Sequence, residues 1–184
     1  HIVGWNWPRA FLWTTEAGFQ DLTPPESQHA RPSSLSADGS VVVGYRAGPA
    51  GDEAFRWTSS GGFQFIAEPN AYQEIVRRSE RVSANGSVVV GTSSEFTGET
   101  AFRWTERGGS LPLFPSSVRW SQANAVSADG DIVVGVGGQS WGFGTNFVFR
   151  WIKNRADVNG DGFLNGDDFD LFAELRVRDI HNVE

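Results

Sequence analysis

"SADGSVVVGYRAGPAGDEAFRWT", residues 36–58, contains two phrases that return along the chain. The first returns as "SANGSVVVG" from Ser83 and "SADGDIVVG" from Ser127, and "HIVG" at the start is the worn end of a further copy. The second returns as "AFLWT" from Ala10, "AFRWT" from Ala101 and "VFRWI" from Val148. Its Phe falls at 11, 55, 102 and 149, spacings of 44, 47 and 47 residues. A weaker third phrase follows the early copies: "GFQDL" from Gly18, "GFQFI" from Gly62 and "GSLPL" from Gly109. Self-similarity at such a period marks a repeat architecture.

Each phrase has a physical reading. Asp38-Gly39, Asn85-Gly86 and Asp129-Gly130 read as two-residue hairpin turns, because both central positions tolerate positive φ. The runs "SVVVG" and "DIVVG" are continuous and β-branched, which suits a strand covered on both faces. In "AFRWT" the two-residue period of a strand sends Phe and Trp one way and Arg the other. Phe11/Trp13, Phe55/Trp57, Phe102/Trp104 and Phe149/Trp151 are therefore expected to form one repeated aromatic layer, as core rather than as a binding platform. The longest connections, "TPPESQHARPSS", "EPNAYQEIVRRSE" and "PSSVRWSQAN", run from the third phrase to the next hairpin. A unit of about 40–50 residues with four antiparallel strands has the size of a propeller blade. The expectation is an all-β, propeller-like array of about four short antiparallel blades over residues 1–152. Blades two (about 33–67) and three (about 81–114) are complete in this reading, blade one is short of its first strand and blade four of its last.

The phrases "EAFRWTSSGGF" and "TAFRWTERGGS", each preceded by a "VSADGSVVVG"-type hairpin, resemble the extracellular repeats of the HAF family over about residues 1–152. The resemblance implies secreted bacterial proteins with a β-propeller-like fold. Leu12 departs from it, since the other three copies carry Arg there.

Residues 153–184 read as a separate loop-helix tail. "DVNGDGFLNGDD" (157–168) puts Asp157, Asn159, Asp161, Asn165 and Asp168 at loop positions one, three, five, nine and twelve, with Gly162 at six. Oxygen-only ligands at these positions, with the Phe163 carbonyl at seven, follow the logic of an EF-hand-type calcium loop. The following "DDFDLFAEL" reads as a helix that could pack Phe169, Phe172 and Leu175 on the body. With Asp in place of Glu at position twelve, the pattern is similar to a type I dockerin segment. That resemblance implies calcium and, where two segments are present, docking to a cohesin module; this chain carries one. Charge agrees with a cation site: residues 157–184 hold eight acids against Arg176 and Arg178, which is −6 of the net −7. The same asymmetry argues against nucleic acid as a partner.

Other chemistry finds little support. Cysteine and methionine are absent, so no thiolate site or disulfide is available. No apolar run is long enough to span a membrane. The start, "HIVG", carries no initiator Met or signal peptide and reads as a processed or partial chain. His1, His29 and His181 are scattered, without a nucleophile triad or metal-ligating spacing, and an enzyme is not expected. Asp52, Glu53, Glu95 and Glu99 read as solvated loop charges rather than a glycosidase pair. Trp120 and Trp141 fall in expected loops, where flat rings could stack on an extracellular polysaccharide. The expectation is a non-catalytic secreted structural protein with a calcium-stabilised tail. It is expected to form homo-oligomers or head-to-tail filaments through terminal strands, with "RVRDIHNVE" (176–184) or "HIVGWNW" (1–7) as donors. The alternatives are a carbohydrate-binding or dockerin-anchored surface module.

Overall fold

β-Branched triplets favour extended backbone and pack well on a pleated surface, and they build one strand of each repeat. In the computed structural model the residues described are 1–48, 51–66, 76–95, 98–114, 118–139 and 146–153. Their strands are β1 (Ile2–Asn6), β2 (Arg9–Thr14), β3 (Gly18–Asp21), β4 (Ala30–Leu35), β5 (Val41–Gly48), β6 (Gly51–Thr58) and β7 (Gly62–Phe65). The second half continues with β8 (Val76–Val82), β9 (Val88–Glu95), β10 (Gly98–Thr105), β11 (Gly109–Pro112), β12 (Trp120–Val126), β13 (Ile132–Gly138) and β14 (Asn146–Ile152).

The strands pair antiparallel in chain order to give four blades: β1-β2-β3, β4-β5-β6-β7, β8-β9-β10-β11 and β12-β13-β14. One parallel bridge, Glu99 to Trp120, ties blade four to the third strand of blade three. The expected blades are therefore present. Among the described residues, blade one has no strand before its Val-type strand and blade four none after its aromatic strand.

Register assigns the faces. Val42 pairs with Trp57 and Gly44 with Phe55, so these share one face, called the front. Val41, Val43, Ala54 and Arg56 share the other, the back. Three cores result, each filling the gap between consecutive blades. Ala10, Leu12 and Leu22 on the back of blade one meet Val42, Phe55 and Trp57 on the front of blade two. Val41, Val43, Ala54 and Ile66 meet Val89, Phe102 and Trp104 in the next gap. Val88, Val90, Ala101 and Leu113 meet Val133 and Phe149 in the last, with Trp151 packed alongside. All three valines of each inner triplet are thus buried, as a strand sandwiched between neighbours requires.

Two expectations need correction. The Asp/Asn-Gly hairpins are four-residue loops, not two-residue turns. Ser36 N–H donates to the Val41 carbonyl at 2.9 Å and Gly39 N–H returns to the Ser36 carbonyl at 3.0 Å. Only the glycine takes positive φ, 73° at Gly39 and Gly86 and 83° at Gly130, so the preceding Asp or Asn is free to act as a side-chain acceptor. The first strand of blades two, three and four also begins earlier than expected, inside segments read as connections: "ARPSS", "VRRSE" and "WSQAN" belong to β4, β8 and β12. Each carries a bulge at the same place, between Pro32 and Ser34, Ser79 and Arg81, and Ala123 and Ala125. A bulge breaks the two-residue alternation and so hides a strand from a periodicity search.

Candidate functional site

The aromatic phrase does more than fill a core. Its Arg lies on the back of one blade and reaches the Trp on the front of the next. Arg56 stands over the Trp104 ring with its guanidinium carbon 5.9 Å from the centroid, and Arg103 over Trp151 at 5.2 Å. Arg103 is 5 % exposed, a depth at which a guanidinium needs the π-face and neighbouring groups to offset lost hydration. Leu12 occupies the equivalent position and joins Trp57 in an apolar core. This departure from the repeat phrase therefore keeps the contact and changes its chemistry.

The two outermost faces of the described blades carry the same kinds of residue, with no blade against them among the described residues. On the back of blade four, Ile132, Val134, Val148 and Ile152 are exposed, matching positions that are buried or half-buried in blades two and three. On the front of blade one, Ile2 is 57 % and Phe19 76 % exposed, beside half-buried Phe11 and Trp13. The aromatic layer expected from the phrase is thus core in blades two and three and at Phe149, and only partly covered at Phe11, Trp13 and Trp151.

A polar groove of about 400 Å³ opens between blades three and four, lined by Arg78, Glu80, Arg81, Thr92, Ser94, Glu99, Gln122, Ala123 and Asn124. Polar clasps between blades shape it. Gln122 donates to Glu99 at 2.8 Å, and Ser94 Oγ lies 3.3 Å from the same carboxylate. At the matching place one blade earlier, Arg78 bonds Asp52 at 2.9 Å and covers the Tyr45 ring at 5.1 Å. Earlier still, Arg31 covers Trp5 at 4.6 Å. The acids expected as solvated loop charges are therefore strand residues with partners: Asp52 with Arg78, Glu53 with Arg46 at 2.8 Å, and Glu99 with Gln122. Glu95 is the last residue of β9. Their engagement leaves no free carboxylate dyad among Asp52, Glu53 and Glu99.

Trp120 is likewise not a loop residue. It opens β12, is half-buried and sits in the bridge to Glu99, so it is an interblade residue. Trp141 lies outside the described residues, as do Asp157, Asn159, Asp161, Phe163, Asn165 and Asp168. Among the described residues no group of three or more His, Cys, Asp or Glu is placed to hold a metal ion. Among them, too, no helix is long and apolar enough to cross a membrane.

At the hairpin tips, Asp38 accepts from Ser36 Oγ at 2.6 Å, Ser40 N–H at 2.9 Å and Ser40 Oγ at 2.8 Å. These donors, Ser36 first, hold its carboxyl at about 2. Asp129 is lowered in the same way by Ser127 Oγ and the Asp131 N–H. The tips also interlock. Ala37 N–H donates to the Ala84 carbonyl at 2.9 Å and Asn85 N–H to the Ala128 carbonyl at 3.2 Å, each joining one blade to the next.

No family model matches the chain, and no curated protein matches it. Among solved structures, the crystal structure of TolB from Acinetobacter baumannii is 15% identical over 80% of this chain and 36% of its own, with a TM-score of 0.54. A putative TolB from Agrobacterium tumefaciens is 14% identical over 79% of this chain and 54% of its own, at 0.55. The chain thus spans about a third to a half of the solved structures it matches, and the likeness is one of fold: four blades of a β-propeller.

Proposed function

We propose that this chain is a non-catalytic structural module, working outside the cell, whose blades assemble end to end with those of other copies and whose tail is braced by calcium. One observation carries the reading. The two outer faces present the same aliphatic and aromatic positions that are buried in the three internal gaps, yet among the described residues nothing packs over them. Contiguous apolar surface of this kind marks an association site, and because the faces differ, association is heterologous and builds rings or filaments. The oxygen-ligand spacing of Asp157, Asn159, Asp161, Phe163, Asn165 and Asp168 supports the calcium part. Partnered carboxylates and scattered histidines support a role without catalysis.

Sedimentation of the full chain, in calcium and in EDTA, tests the assembly. Species larger than the 20.1 kDa protomer are expected in calcium, growing with concentration. A single 20.1 kDa species under every condition sinks the proposal. The polar groove favours a second reading, a carbohydrate-binding module, because fixed amide, carboxylate and guanidinium groups line it. Loss of polysaccharide binding on Gln122→Ala, with assembly unchanged, would favour that reading.

A further inference from the structure

We infer that the assembly contact is a fourth copy of the internal blade-to-blade interface, made when Arg150 of one molecule stacks on Trp13 of another. This rests on the end-to-end reading above and specifies its partner, a second copy of this chain. The observation is a pattern with one gap. Every front-face Trp from blade two onward receives the back-face residue of the blade before it: Leu12 for Trp57, Arg56 for Trp104 and Arg103 for Trp151. Two members of the series remain. Arg150 on the back of blade four is exposed, and among the described residues no ring or carboxylate pairs with it. Trp13 on the front of blade one has no cation over it among the described residues.

Around each, the complementary surface is already present. Arg150 pairs across the sheet with Val134 and lies among exposed Ile152, Ile132 and Val148. Trp13 pairs with Ile2 and Phe19, both largely exposed. Aliphatic β-branched residues with a central Arg against aromatic residues with a central Trp is the composition of the two gaps between blades two and four. In the three internal contacts a hairpin tip adds to this packing. Gly86 and Gly130 sit against Val41 and Val88 of the preceding blade, and Gly39 takes the same seat on His1. The contact is therefore face-on stacking of whole blades, not the addition of a terminal strand to a sheet edge. Burying the guanidinium against the ring makes the pair more favourable than it is in water.

The test uses polarity. Arg150→Glu disables only the back of blade four, and Trp13→Glu only the front of blade one. Each variant alone is expected to sediment as a protomer, with association weakened by at least about tenfold. An equimolar mixture retains one good back and one good front, and is expected to give a 1:1 dimer that grows no further. Unchanged thermal unfolding of the Arg150→Glu variant, whose side chain is exposed, shows that its effect is not loss of fold. If Trp13→Glu unfolds, Trp13→Leu replaces it; Leu against Arg150 lacks the ring and is expected to weaken the contact. Wild-type assembly that survives Arg150→Glu, or a mixture that stays monomeric, overturns this inference and leaves the assembly reading standing. A wild-type chain that never assembles overturns both.

Discussion

Arg103 of blade three stands over the Trp151 ring of blade four at 5.2 Å, so a single repeated phrase supplies both halves of the contact between repeats. Blades two and three give their Arg forward, and blades three and four offer their Trp backward. Cohesion between blades is thus encoded in five residues, and the stability of the array depends on gaps rather than on any one central core.

Removing a ring from such a gap leaves a void that the stacked sheets cannot close. Trp57→Ala and Trp104→Ala are each expected to cost about 3–5 kcal/mol, measured by urea unfolding. The two should differ in kind, since Trp104 also loses Arg56 from its face while Trp57 faces Leu12. Wild-type midpoints in both variants would show that these rings are not core.

Glycine at the hairpin tip carries two separate demands, and substitution can tell them apart. Gly86 has φ 73° and a Cβ there would lie 2.6 Å from Val41 Cγ2 of the neighbouring blade. Gly62 has φ 67° with nothing within 4 Å. Gly62→Ala is expected to cost only about 1 kcal/mol, the price of positive φ in a residue with a side chain. Gly86→Ala should cost more, and Val41→Ala should recover part of the difference in a double-mutant cycle.

The hairpin carboxylates set an acid limit. Asp38 is held at about 2, below the ordinary 3.8, by Ser36 and Ser40. A depressed folded-state value means its stabilising effect is present above about 4 and is lost as the pH falls through about 2. Carboxyl chemical shifts followed by NMR should show Asp38 titrating near 2, with Asp129 also below 3.8. In Ser36→Ala the Asp38 value is expected to rise toward 3.8.

Calcium titration of the full chain is expected to show one site. Asp161→Ala removes a ligand at loop position five and should abolish the heat. Absence of heat from the wild-type chain, with tail proteolysis unchanged by calcium, would remove calcium from the account.

Much of this fold was readable because its strongest signals are local. Val-Val-Val runs and Phe-x-Trp alternation announce strands, and their spacing announces blades. The full extent of each blade's first strand was not readable. "VRRSERV" lacks alternation, since the bulge between Ser79 and Arg81 shifts the side chains by one position. The role of Arg56 was hidden for a different reason. Alternation places it opposite Phe55 and Trp57, but only stacking of the blades reveals that the opposite face is another core. Trp120 was misplaced with its strand, and the partners of Asp52 and Glu99 lie on neighbouring blades that no local window contains.

The seat of Gly86 and Gly130 on a valine of the preceding blade has a consequence for how such a chain changes over time. Because Gly86 on Val41 and Gly130 on Val88 are the same joint, a joint does not record which two units it connects. Gain or loss of one whole unit, such as the 47 residues that separate Phe55 from Phe102, leaves every surviving joint chemically whole. A shift of a few residues spoils several at once. Length in this lineage should therefore vary in full steps, by duplication and excision, while drift within a unit is held by two neighbours that must accept the same shape.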